Sequence, residues 1–202
     1  MPFLSKHQQR IKTFVYSSPL LTKAYRLHQF GGFFKKKLST RIKGNGNKIN
    51  KNSSVVFINT SIIIEGENNT VTFEDSCLLN NVKVYVRGNN HKILLKEAVK
   101  FYRGGEFWIE DNDCSIIIGK GSTFEDTHFG VTENSSKIEI GEGCMFSTDI
   151  DLRTGDSHSI LDANTNVRIN PADNVTIGDR VWVGAHCSIL KGAEIANDCI
   201  VG

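Results

Sequence analysis

The chain has 202 residues, 24 Lys or Arg against 22 Asp or Glu, a net charge of +2 and 39% hydrophobic side chains, a balance that suits one folded domain rather than a disordered or fibrous chain. No uninterrupted apolar run approaches the length of a secretory core or a membrane span, so the expectation is a cytoplasmic protein. Five cysteines, odd in number and without a CxxC pair, read as buried thiols, and no HExxH motif points to zinc.

Residues 1–43 form a basic arm with ten Lys or Arg and no Asp or Glu, whereas residues 44–202 carry 14 basic and 22 acidic side chains. Ser17-Ser18-Pro19 offers an N-cap and a first-turn proline, so the arm should hold short helices. It suits an amphipathic anchor on an anionic membrane surface, peripheral to a bacterial inner membrane, or a cap over the first coil of a repeat domain, and the two roles are compatible. A nucleic-acid tail is a third reading, but no nucleic-acid-binding module accompanies it.

From Gly44 a polar corner recurs as GNGNKI, GENNTV, GNNHKI, EDNDCSI and TENSSKI, in steps of 22 residues. Asn68, Asn90, Asn112 and Asn134 hold that register, and each precedes an apolar alternation such as Val71-Thr72-Phe73 that reads as a short half-buried strand. These are coils of 18 residues with about four extra at one corner, where Asn and Gly tolerate positive φ. Between Leu152 and Val175 the pattern breaks into a polar stretch with His158 between Asp156 and Asp162. After Val175 the period becomes strictly six, with Ile177, Val183, Ile189, Ile195 and Val201 as the stacked aliphatics and Val181, Cys187, Ala193 and Cys199 as small inward residues. A period of six fits neither an α-helix nor a flat strand; it specifies a solenoid with three six-residue sides. The fold class is therefore all-β, a left-handed parallel β-helix of seven or eight coils over residues 44–202, preceded by the basic arm.

The loop Asp156-Ser157-His158-Ser159-Ile160, followed by Val181-Trp182-Val183-Gly184, resembles the hexapeptide-repeat O-acetyltransferases of bacterial capsule and lipopolysaccharide pathways. The resemblance covers about residues 130–202 well and the earlier coils only in style. It implies transfer of an acetyl group from acetyl-CoA, the co-substrate, to a sugar hydroxyl of a cell-surface polysaccharide or its precursor, with no metal. It implies that His158 removes the proton from the acceptor hydroxyl as the oxygen attacks the thioester carbonyl, a task for which a neutral imidazole is suited. Asp156 or Asp162 could fix the ring's tautomer, and Trp182 offers an indole N–H and an aromatic platform for the donor. Gly184, His186 and Lys191 are the further candidates for contact with acetyl-CoA, with Arg180 beside them, while His128 reads as structural.

Similar enzymes are homotrimers with sites in the grooves between prisms, so His158 and Trp182 are expected to contribute to an intersubunit site. Trp182 lies 24 residues beyond His158, which is one coil plus one hexad and would put it one coil along and one face round. Three rivals remain: N-acetylation of a nucleotide-linked amino sugar, a carbonic anhydrase on the same scaffold, and a non-catalytic solenoid. The second needs converging histidines, and His128, His158 and His186, at gaps of 30 and 28, lack a close pair. The hexads stop in mid-coil at Gly202, where similar enzymes continue, and the expectation drawn from this is a truncated or unusually short chain that binds acetyl-CoA weakly.

Overall fold

The computed structural model describes residues 38–202, and the helical cap or anchor expected within 1–43 falls mostly outside the described residues. Among the described residues, twenty-one short strands run in a repeating cycle of three, from β1 (Leu38–Lys43), β2 (Lys48–Lys51) and β3 (Val56–Ile58) to β19 (Ser188–Ile189), β20 (Glu194–Ile195) and β21 (Ile200–Val201). Every third strand joins the same sheet, giving three seven-stranded parallel sheets around one axis, the left-handed parallel β-helix that the hexads specify. The first described coil begins at Leu38, ahead of the Gly44 corner, because β1 pairs along its whole length with β4 (Thr60–Glu65).

Inward positions alternate along each strand and stack from coil to coil, so the core is one continuous column of aliphatic and aromatic side chains. Phe124 illustrates its density, stacked between Phe101 and Phe146 at ring-centroid distances of 4.5 and 4.7 Å. The five cysteines are free thiols, three of them buried. Burial pushes the Cys114 thiol up to about 11, which keeps it protonated and inert.

The extra residues of each early coil lie at the corner between the first and second sheets. Gly66 adopts φ 140° there, and a Cβ at that position would run into the Gly88 carbonyl oxygen of the next coil, so only glycine fits. Asn69 links three coils, bonding Asn47 Oδ1, the Gly88 carbonyl and the His91 N–H. The uniform step of 22 does not hold throughout. Leu94 pairs with Ile117, a step of 23, and Asn112 therefore sits beside Asn89 rather than Asn90, donating nothing to it but accepting its side-chain N–H at 2.9 Å. One added residue in that coil, ahead of β10 (Gly105–Ile109), shifts the ladder without breaking it.

Candidate active site

The long interruption is an enlargement of the same corner. It leaves β16 (Ile150–Arg153) on the first sheet and returns at β17 (Val175–Ile177) on the second, so Glu139 pairs with Thr176, 37 residues on, whereas Thr176 pairs with Glu194, 18 on. Inside it the chain folds into a small antiparallel hairpin. Leu161 bridges Arg168, the Ile169 N–H donates to the Ile160 carbonyl at 2.9 Å, and Asp162 holds its turn by accepting from Thr165 and Asn164.

Asn170, only 7% exposed, is the hub. Its Oδ1 accepts from the Ile160 N–H at 2.6 Å, and its Nδ2 donates to the His158 carbonyl and to Asp156 Oδ2, both at 2.8 Å. Arg168 makes a bidentate pair with Glu133 on the preceding coil, whose carboxylate also accepts from the Ala172 N–H. These partners hold the carboxyls of Glu133 and Asp156 below the usual range, Arg168 chiefly for the first and Lys191 chiefly for the second. The His158 backbone is thus anchored while its imidazole stands exposed at the base of the hairpin.

Neither flanking acid serves the His158 ring within this chain. Asp156 is spent on Lys191 and Asn170, and Asp162 on its own turn. Lys191 also donates to the Pro171 carbonyl, and Arg180 forms a two-bond pair with Asp198, so both candidate phosphate-binding cations are engaged. His186 shares a corner with Asp149, to which its Nδ1 lies 2.8 Å away, and remains largely exposed. Gly184 packs against the next coil, where a Cβ would lie 3.3 Å from Gly202 Cα. Its lack of a side chain serves stacking.

Trp182 opens β18 (Trp182–Val183) and projects outward from the third sheet, half exposed, in register with Met145 and Ile200. It lies in the same coil as the hairpin, not one coil along, because the loop absorbs the residues that a further coil would need. The third sheet is the side of the prism opposite the corner from which the hairpin emerges. His158 and Trp182 are therefore not brought together within one chain.

A groove runs instead along the outer face of the first sheet, with a cavity of roughly 330 Å³ lined by Trp108, His128, Gly130, Thr132, Arg153 and Ser157 among others. His128, read from the sequence as structural, projects into it from β13 (Thr127–Val131). Its Nδ1 meets Asp151 Oδ1 at 2.7 Å, and Arg153 Nε meets the other carboxylate oxygen at 2.6 Å.

No family model matches the chain. It is 39% identical over 77 residues to a polysialic acid O-acetyltransferase of Escherichia coli O1:K1 / APEC, covering 38% of this chain and 25% of that protein. It is 36% identical over 81 residues to a polysialic acid O-acetyltransferase of Neisseria meningitidis, covering 40% of this chain and 37% of the relative. The matched segment thus spans between a quarter and somewhat over a third of these curated relatives. The structural likeness extends further: the polySia-specific acetyltransferase NeuO superposes with a TM-score of 0.72 over 83% of this chain and 76% of that one, at 26% identity. The polysialic acid O-acetyltransferase OatWY does so with a TM-score of 0.74 over 82% and 76%, at 28% identity. In sequence and in fold the chain resembles the hexapeptide-repeat O-acetyltransferases.

Two features of this acetyltransferase-like solenoid escape sequence reasoning. Asn170 carries a weak signal, an Asn-Pro dipeptide that marks a turn, but nothing in the sequence shows that its amide holds three separate parts of the loop. The first-sheet groove could have been found by stacking the outward residues of successive coils. One-residue slips between the third and fourth coils and between the fifth and sixth hide that column from a fixed step of 22.

Proposed function

We propose that the chain is an O-acetyltransferase that moves an acetyl group from acetyl-CoA to a hydroxyl of an acidic capsular polysaccharide, polysialic acid being the first acceptor to test. The observation that carries this reading is the likeness, over more than four-fifths of the chain, to two solved acetyltransferases named for that polymer, with the coil stack interrupted at one place by the histidine-bearing loop. When bound, acetyl-CoA supplies the activated acetyl group. His158 takes the proton from the acceptor hydroxyl, Asn170 fixes its backbone, and Trp182 with His186 lines the donor side, where the apolar column Met145, Trp182 and Ile200 gives the thioester arm a dry wall.

The site needs a second copy of the chain. The hairpin exposes Ile160, Leu161, Val167 and Ile169, each at least half exposed, on a segment that leaves the prism at the corner opposite the Trp182 column. Two exposed apolar surfaces on opposite sides make a head-to-tail contact, and a rotation that closes after three copies makes three equivalent sites. A homotrimer pairing His158 of one protomer with Trp182 of its neighbour fits both surfaces.

The decisive experiment follows free-thiol release from acetyl-CoA with a panel of glycans that includes unacetylated polysialic acid, for the wild type and His158→Ala. Glycan-dependent release is expected from the wild type and a loss of about 10²–10⁴-fold in kcat from the variant, the typical contribution of a general base. Equal turnover by both proteins would remove His158 from the mechanism, and no release with any glycan would remove the transferase.

A further inference from the structure

On the first sheet the outward residues of successive coils fall into one column, Arg41, Ile63, Tyr85, Trp108, Gly130 and Arg153, each paired with the next across a parallel ladder. Tyr85, on β7 (Val82–Arg87), and Trp108 lie with ring centroids 4.6 Å apart, and Trp108 remains 38% exposed. At the next coil the aromatic wall stops and Gly130 opens a notch. A Cβ there would already stand 3.3 Å from the His128 ring and 3.5 Å from the Arg153 stem, so a side chain would fill the space that glycine leaves.

The notch is polar on the sides that the aromatics do not cover. His128 uses Nδ1 on Asp151, and among the described residues Nε2 has no hydrogen-bond partner. Arg153 uses Nε on the same carboxylate, leaving the terminal nitrogens of its planar fork without a partner among the described residues. Thr132 adds a hydroxyl on one edge, Ser157, next in sequence to His158, forms the rim toward the hairpin, and Glu110, which also lines the cavity, has its carboxylate paired with Arg87 at 2.8 Å. An aromatic face beside a small set of convergent donors, around a cavity at the small end of the ligand-pocket range, is how a protein recognises a ring with one C–H face and a polar edge.

We propose that this groove is a pyranose-binding subsite of the acceptor glycan. One sugar ring lies over Gly130 with its C–H face toward Trp108, the Arg153 fork takes its carboxylate, His128 Nε2 and Thr132 take its hydroxyls, and the preceding unit runs back along Tyr85. The proposal rests on the acceptor reading above and deepens it: the polymer is held along the solenoid axis by earlier coils, so that the unit beside Ser157 is presented to the loop that bears His158. Long chains, which reach both Tyr85 and the loop, are better acceptors than short ones.

The chain has two tryptophans, so a Trp182→Phe protein carries Trp108 as its sole indole. Titrating it with unacetylated polysialic acid of graded length should change the indole emission saturably, with tighter binding for longer chains and a dissociation constant raised about tenfold by adding Arg153→Gln. In turnover with Trp182 intact, Trp108→Ala should raise the KM for the polymer about tenfold while the KM for acetyl-CoA and kcat stay unchanged. Turnover of the polymer by the wild type with silent Trp108 emission, or with an unchanged KM in Trp108→Ala, overturns the subsite and leaves the transferase standing. A saturable Trp108 response without turnover supports the subsite and overturns the transferase, and silence in both overturns both.

Discussion

His91 stands in the corner column where the two preceding coils carry Asn47 and Asn69, and it does the work of an asparagine with a ring. Its Nδ1 accepts the Cys114 N–H at 3.2 Å, and its Nε2 lies 3.2 Å from the Arg87 carbonyl, an arrangement that requires the neutral ring with its hydrogen on Nε2. Burial lowers its pKa below the ordinary 6.5, because the charged ring would lose water and find no acceptor at Nδ1. The unfolded chain then takes up a proton that the folded chain refuses. The stability this residue contributes is complete above about pH 6.5 and is lost as pH falls from there toward the folded-state value. The expected outcome is a thermal midpoint that falls between pH 7 and pH 5. His91→Asn, which restores the side chain of the earlier corners, should flatten that slope; parallel slopes for the two proteins would assign the acid sensitivity elsewhere. His158 differs in kind. Its exposure ties it to no packing role, so its replacement should leave the midpoint unchanged while removing activity.

At the level of elements, the hexads and the corner repeats were legible because a solenoid writes its stacking directly into sequence spacing, and the break after Leu152 was legible as the place where stacking stops. What happens inside the break was not. The bonds that order it join Asn170 to Asp156 and His158, and Arg168 to Glu133, pairs set by the path of the hairpin rather than by any period. The same applies to Asp156 and Lys191, which read separately as a histidine partner and a coenzyme contact and meet as an ion pair. Asn170→Ala should therefore leave the solenoid folded and lower kcat about 10²-fold through misplacement of His158, with faster proteolysis confined to residues 155–172. Full kcat in that variant would show that the loop does not depend on its hub. Glu133 and Asp156 both have depressed pKa values, so their anchoring persists above the usual carboxylate range and is released as pH falls below it. The hydrogen-exchange protection factors of the loop amides should fall there before those of the strands do.

At the scale of the molecule, the proposed acyl transfer has to borrow a wall, because His158 stands exposed at the hairpin and Trp182 half exposed on the side of the prism opposite the hairpin's corner. The chain presents two exposed apolar pieces that the proposed trimer would join: a hairpin with four exposed aliphatic side chains, and a column of Met145, Trp182 and Ile200 on the side opposite the hairpin's corner. In the proposed trimer, burying the first against the second would remove apolar area from water on both partners and bring His158 and Trp182, which one chain holds apart, to a single groove. Light scattering should accordingly give the mass of three chains for the wild type. Val167→Ser combined with Ile169→Ser should shift the protein toward monomer with an unaltered β-sheet circular dichroism spectrum, since both residues are 61% exposed and neither belongs to the buried core. Activity should fall with the trimer fraction and recover as protein concentration rises. Mixing His158→Ala with Trp182→Ala chains then separates an intersubunit site from two unrelated effects. If the residues act across the interface, mixed trimers regain turnover that neither parent shows. If they act within one chain, each chain remains defective and mixing restores nothing.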